Sequence, residues 1–209
     1  MNSKTKRGHF IVLDGPEGSG KSTQVERLAE RLRAGGLLVD CVRDPGSTPV
    51  SERIRALLLD PAVGHIEAST EMFLYMASRS EMVARIIRPA VASGRTVVCD
   101  RFISSTIAYQ GTAGGIDPEE IVRAGHVALG DLWPDLVVLL DLPPEEGFAR
   151  IEREHDRMER KGLDFHRRVA EGFRDLARRD PENHVLVDAR GTPEEIADRI
   201  WSIVKRVLR

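Results

Sequence analysis

A chain of 209 residues, 41% hydrophobic and 31% charged, is long enough to bury about 70% of the surface its unfolded form would expose, so one self-folding domain is expected and disorder is excluded. Its 31 Lys and Arg nearly balance 33 Asp and Glu, for a formal net charge of −2. That balance excludes a general nucleic-acid-binding surface, and any anion site must be local.

The basic opening, Lys4 to Arg7, leads into four apolar residues, Phe10 to Leu13, before Asp14 interrupts them. That run is too short for a signal peptide or a membrane span, so no membrane contact is expected. Short apolar runs rich in β-branched residues at Phe10 to Asp14, Leu37 to Arg43, Thr96 to Asp100, Leu136 to Asp141 and His184 to Asp188 read as strands. Charged amphipathic segments between them read as helices. Gly35-Gly36 ends the first near Arg33, a long one spans Glu71 to Val91, Asp117-Pro118-Glu119-Glu120 opens another, and Thr192-Pro193-Glu194-Glu195 combines cap, N1 proline and capping-box glutamate. Gly111 to Gly115 and Arg150 to Lys161 read as mobile surface segments.

This β-α alternation predicts an α/β fold, a five-stranded parallel sheet covered by helices on both faces, with ligands at the carboxyl ends of the strands. One domain over 1–209 is expected, with a mobile lid at about 150–162. Cys41 and Cys99 each end an apolar run without metal-ligand spacing, which predicts buried thiols in a reducing compartment, the cytoplasm.

Directly after the first strand, Gly15-Pro16-Glu17-Gly18-Ser19-Gly20-Lys21-Ser22-Thr23 fits G-x-x-x-x-G-K-[ST] and opens a helix. In such a P-loop the glycines let backbone N–H groups turn toward phosphates and the helix N-terminus adds positive potential. Lys21 neutralises the β and γ oxygens of a bound nucleotide, and the Ser22 hydroxyl can ligate Mg²⁺. A P-loop alone does not choose among kinases, GTPases, transport ATPases and switches. A guanine-reading N-K-x-D is absent, and the single D-x-x-G match, Asp188 to Gly191, comes too late in the chain to serve a GTPase.

After the third strand stands Asp100-Arg101-Phe102-Ile103-Ser104-Ser105-Thr106-Ile107-Ala108-Tyr109-Gln110-Gly111. Arg43 and Arg101, each at a strand's carboxyl end, can fork onto an acceptor monophosphate, and Asp100 can hold Mg²⁺ directly or through water. With Arg43-Asp44-Pro45-Gly46-Ser47-Thr48, Glu71 to Arg79, and Asp156-Arg157-Met158-Glu159 followed by Phe165 and Arg168-Val169, this segment resembles the thymidylate kinase family from about Phe10 to Ala189. The family carries D-R-[YH] then S-T-x-A-Y-Q-G, R-E-P-G-G-T, and E-x-x-L-F-x-x-x-R at these places. The resemblance implies a P-loop NTPase three-layer fold and ATP-dependent phosphorylation of dTMP to dTDP, which supplies dTTP synthesis.

The resemblance also places Tyr75 against the thymine face, Arg79 at its O4 edge and Thr106 near N3. It puts Tyr109 under the deoxyribose where a 2′-OH would collide, Glu17 on the 3′-OH, and adenine near Ala189 to Thr192. It implies a homodimer, for which Met72, Met76 and Met82 offer either an interface stripe or ordinary core. Phe102 departs from the family's Tyr or His, Ser47 from a Gly and Asp44 from a Glu. Gly18 stands where one branch of the family has an arginine. The missing charge is expected from Arg150, Arg153 and Arg157, whose helical spacing would put them along one face of a lid helix. Arg153 and Arg157 thus join Lys21 and Arg101 as expected catalytic groups. A kinase for another nucleotide or a deoxynucleoside is one competing reading; a P-loop switch module is another.

Overall fold

The computed structural model describes residues 7–208; Lys4 to Lys6 of the basic opening lie outside the described residues. The strands are β1 (Phe10–Asp14), β2 (Val39–Arg43), β3 (Thr96–Asp100), β4 (Leu136–Asp141) and β5 (His184–Asp188), all parallel in the order β2-β3-β1-β4-β5. Four coincide with the runs read from the sequence; β2 starts at Val39 rather than Leu37. The cause is the end of α1 (Lys21–Ala34), where Gly36 adopts φ +87° and the Leu37 N–H donates back to the Leu32 carbonyl at 3.2 Å, closing a Schellman turn.

The helices that follow are α2 (Pro49–Leu59), α3 (Ala68–Met82), α4 (Arg88–Ala92), α5 (Ile103–Thr106), α6 (Pro118–Leu129), α7 (Pro144–Phe148), α8 (Leu163–Arg179) and α9 (Pro193–Val207). The caps read from the sequence are present: Asp117 accepts from Glu119 N–H, and Thr192 and Glu195 form a reciprocal capping box.

Alternation within the strands divides the core in two. Phe10, Val12, Val97, Cys99, Val137 and Leu139 face α3, α6 and α8, whereas Ile11, Leu13, Val98, Val138 and Leu140 face α1 and α9. Central strands buried on both faces read as continuous apolar runs for this reason, each buried Val, Leu, Ile or Phe contributing about 1.5–3 kcal/mol. Register aligns Arg43 and Leu13 with Asp100, and Asp14 with Leu139, so Arg43, Asp14 and Asp100 end neighbouring strands at one edge of the sheet. Among the described residues no helix is long and apolar enough to cross a membrane.

Several expectations need correction. The long helix from Glu71 to Val91 is interrupted by a widened π turn at Val83–Ile87, immediately before Arg88 and Pro89. Proline cannot donate a backbone hydrogen bond and crowds the preceding turn, which widens to accept it. Met72, Met76 and Met82 are core residues at 7%, 5% and 0% exposure, not an interface stripe. Cys99 is buried as expected but Cys41 is exposed, because β2 is an edge strand and Cys41 faces away from the core. Gly111 is buried inside a second π turn, Ile107–Thr112, rather than in a mobile surface segment; only Gly114 and Gly115 at its end are exposed.

Candidate active site

The carboxyl edge of the sheet opens into a cavity of about 390 Å³ bounded by the P-loop, the Arg43 to Pro45 turn, α3, the segment Asp100 to Gln110 and part of the lid. Asp14, fully buried at the end of β1, ties two walls together. Its carboxylate accepts from Gly15 N–H at 2.8 Å on one side and from Ser104 and Ser105 hydroxyls at 2.6 and 2.7 Å on the other. The loop then passes so close to α7 that a Cβ on Gly18, at φ +68°, would fall 2.0 Å from the Gly147 carbonyl oxygen. No side chain fits at Gly18, so an arginine there is incompatible with this packing.

Lys21 Nζ donates to the Pro16 carbonyl at 2.7 Å and to Ser19 Oγ at 3.3 Å. Burial, and then Arg101, hold its ammonium down at about 8, against the opposing pull of Glu17, Asp100 and Asp14. Ser22 Oγ donates to Asp100 Oδ2 at 2.6 Å, so the two residues expected at the metal are already neighbours.

Glu17 joins the P-loop to the segment Asp100 to Gln110, where the phosphate acceptor is expected. Arg101 Nη2 donates to its Oε2 at 2.7 Å and the Tyr109 hydroxyl to its Oε1 at 2.8 Å. Burial alone would raise the Glu17 carboxyl; Arg101, Lys21 and the Tyr109 hydrogen bond outweigh it and hold it at about 2. Arg101 sits at φ +66°, uncommon for a side-chain-bearing residue, and its Nη1 is fixed by the Gly15 carbonyl at 2.9 Å and Ser105 Oγ at 3.1 Å.

On the opposite wall Arg79 is 1% exposed. Its Nε donates to Asp44 Oδ2 at 2.5 Å and its Nη2 to Thr106 Oγ1 at 2.9 Å. Tyr75 lines the same wall, one helical turn earlier on α3. Arg43 is half-exposed, and its Nη2 donates to both Glu52 oxygens, Oε2 at 3.0 Å and Oε1 at 3.1 Å. Arg55, absent from the sequence reading, also lines the cavity; its signal was its place on α2, two turns beyond the Thr48 cap of the R-D-P-G-S-T segment. The turn Ala189 to Thr192 does not line this cavity, but Arg150 Nη1 lies 3.5 Å from the Gly18 carbonyl and 3.4 Å from that of Ala189.

The lid departs most from expectation. Residues 150–158 form no helix, so Arg150, Arg153 and Arg157 do not share a helical face. Arg153 lines the cavity and forks onto the buried Glu159 at 2.6 and 2.8 Å. Arg157 does not line it: 6% exposed, it points away, with Nη1 on Glu71 Oε1 at 2.6 Å and Nε on the Leu58 carbonyl at 2.7 Å. Spacing alone misled here because each arginine found a carboxylate or carbonyl partner that holds the chain irregular.

Comparison with known proteins decides the family. The family model described as thymidylate kinase matches residues 13–200. A thymidylate kinase from Synechococcus sp. (strain JA-2-3B'a(2-13)) is 48% identical over 198 residues, 94% of each chain. One from Deinococcus radiodurans is 45% identical over 200 residues, covering 95% of this chain and 97% of its own. The crystal structure of thymidylate kinase from Ehrlichia chaffeensis superposes with a TM-score of 0.79 at 29% identity, over 95% of this chain and 99% of that one. The chain belongs to the thymidylate kinase family. Its sheet and P-loop are those of the P-loop NTPase fold that a thymidylate kinase uses.

Against the thymidylate kinase pattern, each departure has a local account. Phe102 is fully buried; it packs edge-on against Phe10 at 5.0 Å and lies 5.2 Å below the Arg79 guanidinium, so it supports that arginine instead of reaching the phosphates. Ser47 keeps the left-handed turn at φ +71°, with its N–H on Glu52 Oε1 at 2.7 Å and its hydroxyl accepting from Arg43 N–H at 2.9 Å. Asp44 reaches Arg79 directly.

Proposed function

We propose that ATP enters over the P-loop, that dTMP lies between Arg101 and the wall of Tyr75 and Arg79, and that the two meet beside Glu17. The chain is a phosphotransferase of the thymidylate kinase family and phosphorylates dTMP to dTDP. The observation that carries the proposed placement is Glu17: a residue of the donor loop bonded to both Arg101 and Tyr109 of the acceptor segment. A P-loop switch has no use for that bridge, nor for the buried Arg79 beside it.

Phosphoryl transfer asks for positioning and charge stabilisation more than for covalent chemistry. The acceptor phosphate has a second pKa of about 6 and is anionic at neutral pH, so no protein base is required. In this proposal Lys21 carries positive charge to the β and γ oxygens. Arg43, Arg55 and Arg101 surround the acceptor phosphate, Arg43 released from Glu52 and Arg101 from Glu17 as the phosphate replaces those carboxylates, and Arg55 from the Pro45 carbonyl. Arg153 reaches the transferred group from the lid, and Arg157 acts only by holding the lid in place. Arg79 and Thr106 read the thymine edge, Tyr75 its face. Tyr109 occupies the space a ribose 2′-OH would need, and adenine lies toward Ala189 to Thr192, next to Arg150.

Ser22 and Asp100 fit Mg²⁺: a hydroxyl and a carboxylate 2.6 Å apart, hard oxygen donors at the P-loop. Among the described residues no three His, Cys, Asp or Glu side chains are grouped so as to hold a metal ion. When bound, Mg²⁺ neutralises charge on the β and γ phosphates.

A homodimer is part of the proposal. Since the methionines are core, its support is on three neighbouring helices: α3 packs between α2 and α6, and Leu57, Phe73 and Val127 on them are 44%, 64% and 89% exposed. A cytoplasmic location rests on the two unbridged thiols, Cys41 and Cys99. The assignment of the acceptor wall is tested by Arg79→Ala, which should raise KM for dTMP at least about tenfold while leaving KM for ATP within about twofold. Equal values for parent and variant would remove Arg79 from the substrate.

A further inference from the structure

The lid is fastened to the base-side wall through one carboxylate. Glu71, in the first turn of α3, is fully buried and receives Arg157 Nη1 at 2.6 Å, Lys161 Nζ at 2.8 and 2.9 Å, and Gln110 Nε2 at 2.9 Å. Both cations belong to the lid region, and Gln110 belongs to the π turn that carries Tyr109. Beside this cluster the backbone N–H of Arg157 donates to the Leu59 carbonyl at 3.0 Å, so the lid also rests on the end of α2.

Fixing a loop with buried charges is an uneconomical way to gain stability, because taking ions out of water opposes their attraction, and apolar packing often does as well or better. An ionic fastening does have one property that apolar packing lacks: it depends steeply on geometry. Glu71 precedes Tyr75 by one helical turn and Arg79 by two, placing all three along one side of α3. Glu71 and Arg157 are near enough to bear on the Tyr75 hydroxyl, which burial and then Glu71 push up.

We propose that Glu71 is a positioning residue that couples seating of the lid, and hence of Arg153, to occupation of the thymine side of the cavity. A base settling against Tyr75 and Arg79 fixes α3 and the Gln110 turn at the spacing that Glu71 needs to hold Arg157 and Lys161. Coupling of this kind is reciprocal, so a seated lid also tightens dTMP. The proposal rests on the reading that Tyr75 and Arg79 contact the base.

The test is amide hydrogen exchange of the full chain over 150–162, with and without saturating dTMP, alongside steady-state kinetics for the parent, Glu71→Gln, Lys161→Met and Arg79→Ala. In the parent, dTMP alone should slow lid exchange at least about fivefold; in Glu71→Gln the slowing should drop below about twofold, with kcat down about tenfold or more. Lys161→Met leaves the Glu71–Arg157 pair intact and should give an intermediate loss at an unchanged melting temperature. It decides the matter if Glu71→Gln does not fold. Full dTMP-dependent protection in either variant overturns the proposal, as does a parent lid indifferent to dTMP. The base assignment fails separately: it falls if Arg79→Ala leaves KM for dTMP unchanged.

Discussion

The side chains of the P-loop and the acceptor segment constrain one another's charge, and this has direct consequences. An ordinary lysine titrates near 10.5, whereas Lys21 does so at about 8, so its ammonium is lost as pH rises through about 8. Since kcat/KM reports the free enzyme, kcat/KM for ATP should fall above that pH about tenfold per unit, whereas bound phosphates favour the charged lysine and should move the limb in kcat to higher pH. A pH profile of kcat/KM that stays flat to about pH 9.5 would contradict this reading. Lys21→Met should fold normally and lose about a hundredfold or more in kcat, because it removes a fixed charge from the developing transition state. For Asp100→Asn, a neutral amide still offers one oxygen, so activity should fall and excess Mg²⁺ should partly restore it. Coincident Mg²⁺ titration curves for variant and parent would remove Asp100 from the metal.

At the level of elements, the strands and capped helices were readable because local chemistry dictates them. Buried parallel strands leave unbroken apolar runs, Thr192 and Glu195 form the box their spacing announces, and the P-loop's glycines stand where the backbone must turn. What escaped was set by tertiary partners. Arginines at helical spacing became an irregular lid because Glu71 and the Leu58 carbonyl hold Arg157 from outside the segment, while Glu159, six residues on, holds Arg153 within it. The role of Asp14 was hidden because a carboxylate ending a strand announces none of its hydrogen-bond donors, the Gly15 and Phe102 N–H groups and the Ser104 and Ser105 hydroxyls. For the lid itself, Arg153→Ala should lower kcat much more than it raises KM for dTMP, since a contact completed on closure acts in the transition state. If kcat holds within about twofold, the transition-state charge comes from Arg101 and the lid assignment is wrong. Gly18→Ala should weaken ATP binding and lower the melting temperature together, because its Cβ would displace the loop from α7. An unchanged KM for ATP would show that the loop tolerates the shift.

Across the whole molecule, the sheet places the P-loop and the Asp100 to Gln110 segment after adjacent strands, β1 and β3, so that both line the one cavity in which we propose the two phosphates meet. The outer helices carry apolar residues that this cavity does not use. Phe73→Glu combined with Val127→Glu should therefore convert a dimer into a monomer in light scattering, with the melting temperature nearly unchanged for each separated chain, because both positions are exposed within one chain. A parent that is already monomeric at micromolar concentration would remove the dimer from the proposal. The reaction itself is tested most directly by incubating the purified chain with ATP, Mg²⁺ and a panel of nucleoside monophosphates and resolving the products. dTMP should be converted to dTDP with kcat/KM at least about tenfold above every other monophosphate in the panel. Preference for another monophosphate by that margin, or consumption of ATP with no nucleoside diphosphate formed from the acceptor, would contradict it.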